Sequence, residues 1–179
     1  EGPGRRYALW VQGCPMRCPG CCNPHMLEFR EVEMVSINDL LDEILAVDDI
    51  EGITYVGGEP FSQAEPLATL SQELHKHDLS TMVFSGFTLD QINKAQRTDW
   101  NLLLSNIDLL VDGQYVEAQK VTDRRWIGSA NQQAHFLTDR YKHMSPEFEG
   151  WDKGKNTIEL RLVNGQIQIN GFPHQDITA

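Results

Sequence analysis

Gln12-Gly-Cys-Pro-Met-Arg-Cys-Pro-Gly-Cys-Cys-Asn-Pro24 is the stretch on which the reading of this chain turns. All four cysteines of the protein lie between positions 14 and 22. Cys14, Cys18 and Cys21 form a C-x3-C-x2-C pattern in a loop punctuated by Pro15, Pro19, Gly20 and Pro24. Such short spacings let one loop wrap three thiolates around a single metal centre. A structural zinc site or an ordinary four-iron cluster takes four protein ligands. Cys22 is a poor fourth, because Cys21 already points inward and adjacent side chains are expected to diverge. The pattern therefore predicts three ligands and an open position, the arrangement of a metal that does chemistry rather than of a staple. A zinc knuckle completed by His25 is the competing metal reading. Disulfides are disfavoured, since such spacings close strained loops and a chain this long needs no staples.

Length and composition narrow the classes. The chain has 179 residues, enough for a single domain with a sizeable core, and its 40% hydrophobic content is that of a globular protein. No apolar run approaches the length of a membrane span and no signal peptide is visible, so no membrane partner is expected. The chain begins at Glu1 rather than Met, so a short leading segment is expected to have been trimmed. Four clustered cysteines without a spaced framework suggest a reducing cytoplasm. A formal net charge of −11 argues against nucleic acid as a partner.

Working outward from the cysteines, strands and helices alternate. Tyr7–Val11 is a short run of strand formers that leads into the loop. Behind the loop, Ser36 with Asp39 caps a helix whose apolar face is Ile37, Leu40, Leu41, Ile44 and Leu45. Ile53–Val56 reads as a buried strand ending at Gly57-Gly58-Glu59-Pro60. Ser62 and Glu65 form a capping-box pattern for the next helix, with Leu67, Leu70 and Leu74 facing the core. Thr81–Phe84 is a strand closing on Ser85-Gly86, and Thr88 with Gln91 begins a third helix carrying Ile92 and Ala95. Ile107–Val111 is a strand ending at Asp112-Gly113. This order implies right-handed βαβ units and a parallel sheet, with each candidate motif just beyond the C-terminal end of a strand. About four such units are too few for a complete eight-fold barrel.

Residues 114 to 150 read as polar and irregular. Their basic residues Arg124, Arg125, Arg140 and Lys142 could dock a partner, though scattered surface charge is the simpler account. Ile158, Leu160 and Leu162 alternate with polar positions, Asn164-Gly165 is a type I′ turn signal, and Ile167 and Ile169 continue on a returning strand. His75 and His77 diverge on their helix and are expected to be solvated. The division is one domain over 1–179, with a core of about 5–138 and a hairpin extension of about 139–179.

Gly57-Gly58-Glu59-Pro60 alone is weak evidence. Two glycines and a proline make a strand-to-helix turn as readily as a ligand cradle. One βα unit downstream of a three-cysteine loop, the ligand reading gains: the glycines permit close approach, and Glu59 can accept hydrogen bonds from an ammonium group. Together the motifs resemble the radical S-adenosylmethionine (SAM) superfamily. More narrowly, Leu9–Pro24 is similar to the activating proteins of anaerobic ribonucleotide reductase. Gly57–Phe61, Phe84–Thr88, Leu110–Tyr115 and Gly128–Gln132 are similar to the later motifs of that group.

The resemblance covers roughly residues 2 to 138. It implies an α/β fold, a partial (βα) barrel, holding a [4Fe-4S] cluster on Cys14, Cys18 and Cys21. SAM would fill the open iron position. Glu59 and the Gly57-Gly58 backbone would hold its ammonium, and Gly20, Cys21 and Cys22 would run beside its adenine. Ser85 and Asp112 match positions lining the SAM pocket, and Asn131 is a further candidate beside the reading of a satisfied polar turn. The implied activity is reductive cleavage of SAM to a 5′-deoxyadenosyl radical that installs a glycyl radical on a partner enzyme. A flavodoxin or ferredoxin would supply the electron. Direct modification of a peptide or small molecule is the alternative, and an electron carrier or zinc module without SAM chemistry is a third. The sequence departs from the superfamily in having Gly20 and Cys22, and no aromatic residue, on either side of the third cysteine. The residues after 138 match the group poorly.

Overall fold

The computed structural model describes residues 1–31 and 34–145, and the backbone of 159–163 and 166–170. Strands β1 (Arg6–Val11), β2 (Gly52–Gly57), β3 (Ser80–Phe84) and β4 (Leu109–Asp112) run parallel in sequential order. A fifth strand, β5 (Gln133–Phe136), pairs antiparallel with β4. The sheet is open, with β1 and β5 at its edges. The reading of residues 114 to 150 as irregular missed β5. The segment from β4 to β5 contains no crossover helix, only a 3₁₀ turn at Glu117–Gln119, and an antiparallel neighbour needs no crossover.

Helices α1 (Ile37–Leu45), α2 (Ala64–His75), α3 (Leu89–Ala95) and α4 (Thr98–Leu104) pack their apolar stripes into one cluster, except that Leu45, expected on the apolar face of α1, is exposed at that helix's last position. Leu40 and Ile44 of α1, Leu67, Leu70 and Leu74 of α2, Ile92 of α3 and Leu103 of α4 pack with Ile53, Tyr55, Val83 and Leu110 from the strands. Each such side chain contributes roughly 1.5–3 kcal/mol when fully buried. Residues of opposite parity, Met82, Leu109 and Val111, meet a second cluster built from Ile127 and Tyr141 with Val121, Trp126 and Phe136 against it. Alternation along the strands thus gives helices one face and the long β4–β5 connection the other.

Most local signals hold. Ser36 Oγ accepts the Asp39 N–H at 3.1 Å, and Thr88 and Gln91 form a complete capping box. Three further expectations need correction. Ser62 and Glu65 do not cap α2; Glu59 Oε1 instead accepts the Phe61 N–H at 2.9 Å at the start of a 3₁₀ turn, Pro60–Gln63, that runs into the helix. Ala95 is exposed, because α3 stops there and Gln96 turns left-handed at φ 49° before α4 begins. That second helix, with Trp100 and Leu103 buried, went unread. His75 is not simply solvated: its Nε2 lies 3.4 Å from buried Asp108 Oδ2, while His77 is exposed.

The C-terminal strands β6 (Glu159–Val163) and β7 (Gln166–Asn170) pair antiparallel with Val163 opposite Gln166, as the hairpin reading requires. Ile158 and the turn residues Asn164 and Gly165 lie outside the described residues. Among the described residues no helix is long and apolar enough to cross a membrane.

Candidate metal and cofactor site

β1 delivers the cysteine loop to the C-terminal edge of the sheet. The loop is closed at its base by backbone bonds from Gly13 N to Met26 O (2.9 Å) and from Cys14 N to Leu27 O (3.1 Å). Gly57-Gly58-Glu59, leaving β2 beside it, docks directly onto this base: Gly58 N donates to Val11 O at 2.7 Å and Glu59 N to Gly13 O at 2.9 Å. A Cβ on Gly58 would sit 2.4 Å from the Gly13 carbonyl oxygen, and Gly57 adopts φ +104°. The paired glycines therefore serve the approach of two backbone segments.

All four cysteines are free thiols and line one pocket of about 170 Å³. Its walls include Trp10, Val56 and Phe84 from the strand ends, Gly57, Gly58, Glu59, Ser85 and Gly86 from the following turns, and Trp126 and Ile127 from the β4–β5 connection. Cys14 is buried, and burial pushes its thiol up, while the N–H groups of Met16 and Arg17 donate to its sulfur and oppose that shift. Cys21 is held down to about 6, chiefly by a hydrogen bond from the Cys22 thiol, with the Asn23 N–H adding a 3.4 Å contact. The same bond pushes Cys22 up. The expectation that Cys22 diverges from Cys21 is corrected in one respect: both line the same pocket, Cys22 as the more exposed of the two.

Among the described residues no three His, Cys, Asp or Glu side chains gather tightly enough to hold one metal ion. His25 is exposed and stands outside the pocket lining. A zinc ion needs ligands that converge on one point, whereas an iron–sulfur cluster offers separate corners to separate thiolates. Three soft donors around one pocket, two of them receiving backbone N–H bonds, are a donor set that fits a cluster, since hydrogen bonds to sulfur tune such centres.

Glu59 is 1% exposed and burial pushes its carboxyl up to about 7. Three donors offset part of that cost: Phe61 N and Ser85 Oγ on Oε1, both at 2.9 Å, and Gly86 N on Oε2 at 2.9 Å. A carboxylate has about four acceptor sites, so one remains for a ligand. Ser85 acts through this network, binding Glu59 and accepting the Phe87 N–H at 3.0 Å.

Gly20, Asp112 and Asn131 do not line this pocket. Gly20 is a left-handed turn residue, φ +71°, beside Tyr115 and Glu117. Asp112 faces a second hollow with Asn131 and His135; its Oδ2 accepts the Leu89 N–H at 2.5 Å and lies 2.9 Å from His135 Nε2. It joins α3 to the sheet. Met16, Tyr115 and the Trp126–Gly128 wall went unread as lining residues, although the matches of Leu9–Pro24, Leu110–Tyr115 and Gly128–Gln132 to the group's motifs pointed towards them. Of the basic set, Arg140 pairs with Asp78 and Lys142 lies 3.5 Å from Asp139, so these two are engaged locally.

A family model described as a 4Fe-4S single cluster domain matches residues 1–135. The chain belongs to that family. The anaerobic ribonucleoside-triphosphate reductase-activating protein of Haemophilus influenzae is 33% identical over 146 residues, covering 75% of this chain and 90% of its own. The protein of the same name from Enterobacteria phage T4 is 28% identical over 150 residues, covering 80% and 92%. The pyruvate formate-lyase-activating enzyme of Staphylococcus aureus is 31% identical over 127 residues, covering 67% of this chain and 51% of its own. Together they place the chain in the radical SAM activase group, as an enzyme of the activating type.

Proposed function

We propose that this protein binds a [4Fe-4S] cluster through Cys14, Cys18 and Cys21, cleaves SAM reductively, and installs a glycyl radical on an anaerobic ribonucleotide reductase. The observation that carries the reading is the gathering of all four cysteines with Glu59 in one pocket at the C-terminal edge of the parallel strands. Relatives named as reductase activators support the choice of partner. The open five-stranded sheet, with its helices in one layer, is read as the partial barrel of this superfamily.

Cys14, Cys18 and Cys21 would hold a cluster that, when bound, would supply the single electron needed for reductive cleavage of the SAM sulfonium. The chain's own residues do the rest. Amide N–H groups of Met16, Arg17 and Asn23 favour the thiolate forms of Cys14 and Cys21. Glu59 offers its remaining acceptor site to the ammonium group of SAM, with its carboxylate fixed by Phe61, Ser85 and Gly86. Trp10, Phe84, Trp126 and Ile127 give the pocket apolar walls that exclude water from a radical. The electron donor fits the flavodoxin or ferredoxin class, and four free thiols fit a reducing cytoplasm.

The test is anaerobic reconstitution with iron and sulfide, followed by mixing with SAM, a strong reductant and the candidate reductase. The expected result is one cluster per chain, release of 5′-deoxyadenosine, and a glycyl radical doublet on the partner in the electron paramagnetic resonance spectrum. Stoichiometric zinc with no iron or sulfide would refute the cluster. Deoxyadenosine release with no partner radical, but with a mass change on a peptide, would reassign the substrate.

A further inference from the structure

Two walls of the cofactor pocket come from opposite ends of the β4–β5 connection. Gly113 and Tyr115 line it just after β4, and Trp126, Ile127 and Gly128 line it shortly before β5. The β4–β5 ladder ends at the pair Asp112–Gln133, and farther out along the connection the backbone bonds Val121 N to Gly128 O (3.1 Å) and Ala130 N to Gln119 O (2.8 Å) join its two arms. One side chain spans them. Gln132 Oε1 accepts the N–H groups of Gly128 at 2.9 Å and Ser129 at 3.1 Å, while its Nε2 donates to the Gly113 carbonyl at 2.9 Å. Two N–H donors demand an oxygen and a carbonyl demands an N–H, so the partners fix the orientation of the amide. Gln132 is itself part of the pocket lining.

Other ties join the same two loops: Ser129 Oγ accepts the Val116 N–H at 3.2 Å, Asn131 Nδ2 donates to Gln114 O at 2.8 Å, and Lys120 bridges to Ser129. None of those five residues lines the pocket. The fold of the connection is thus held largely elsewhere, and the Gln132 amide joins lining residues of both walls, Gly113 and Gly128, directly.

We propose that Gln132 is a positioning residue for SAM, whose amide holds the Gly113–Tyr115 wall to the Trp126–Gly128 wall at the width an adenosyl ligand requires. The proposal rests on the SAM-binding reading of this pocket. A carboxamide is needed because it accepts on one side and donates on the other. A carboxylate of equal shape keeps the two acceptor contacts and sets an oxygen against the Gly113 carbonyl.

The experiment compares reconstituted wild type with Gln132→Glu and Gln132→Ala. Iron content, thermal unfolding, equilibrium binding of SAM and the kinetics of 5′-deoxyadenosine release are measured on each. Gln132→Glu is expected to keep its iron and melting temperature and to bind SAM about ten-fold more weakly, the loss of one hydrogen bond replaced by repulsion. KM should rise by a similar factor with kcat largely retained. Gln132→Ala, which loses all three bonds, should weaken binding by about ten- to hundred-fold. SAM affinity equal in wild type and Gln132→Glu overturns the proposal. Loss of iron or melting temperature in step with SAM binding in Gln132→Glu assigns the residue to the fold and overturns it as well. If the wild type takes up its cluster but binds no SAM, the reading beneath the proposal fails, and that failure is recognised because no variant is then distinguished from it.

Discussion

Gly58→Ala separates two roles for the paired glycines. The new Cβ would lie 2.4 Å from the Gly13 carbonyl oxygen, 2.9 Å from the Gly13 carbonyl carbon and 3.0 Å from Val11 O. A carbon–oxygen contact needs about 3.3 Å, so the strand ends must separate by about 0.9 Å. The neighbours are backbone and cannot swing aside. Both the 2.7 Å bond from Gly58 N and the 2.9 Å bond from Glu59 N then stretch past hydrogen-bond range. Two lost bonds at about 0.5–1.5 kcal/mol each, with about 1–3 kcal/mol of overpacking, give a cost of about 2–6 kcal/mol. Against a total stability of about 5–15 kcal/mol, that is a fall in Tm on the order of 10 °C. Because Gly13 adjoins Cys14, iron uptake should fall with stability. Urea and thermal unfolding of the reconstituted variant, with iron analysis, measure both. A variant as stable and iron-rich as wild type that has lost only SAM binding would refute the backbone argument and return the glycines to the ligand.

Glu59 predicts a pH dependence. Its carboxyl is raised in the folded chain from the usual 4.5 to about 7 by burial, so the folded state holds a proton that the unfolded state releases. Stability from this group is full below pH 4.5 and is lost as pH rises to about 7, a fall of about 3 kcal/mol at 1.36 kcal/mol per unit. Glu59→Gln should lack that slope in urea unfolding of the cluster-free protein across pH 4.5 to 8; parallel profiles for the two proteins would count against it. Cys22→Ala should retain iron at wild-type levels. In the cluster-free protein it should also shift the midpoint of Cys21 alkylation upward from about 6, because the Cys22 thiol is the leading cause of that low value. An unmoved midpoint would show that the pair is not hydrogen-bonded.

The elements whose signals are local were legible in the sequence. Ser36 and Thr88 announce their helices because a cap is satisfied within three residues, and the i, i+3, i+4 stripe of α1 is a property of one segment. The cysteine spacing and the turn after β2 likewise lie in short stretches. What escaped depended on partners far along the chain. β5 carries only four residues, Gln133–Phe136; its alternation of Ala134 and Phe136 with polar neighbours is too short to declare a strand, and its pairing with β4 decides it. Ser62 had the right chemistry for a cap and lost the role to Glu59, whose carboxylate also reaches Ser85 and Gly86 from across the sheet edge.

The site divides in the same way. Sequence alone determined that all four thiols lie in one short loop, and the affinity of sulfur for soft metals does not depend on the fold. Tertiary structure decided which residues share the pocket with them. It separated Asp112 and Asn131 from the cysteines although all were candidates, turned Gly57-Gly58 into a backbone joint, and placed Gln132 between two walls. The physical reason is that a ligand type is intrinsic to a side chain, whereas proximity, burial and the satisfaction of a hydrogen-bonding group are set by segments brought together only when the sheet forms.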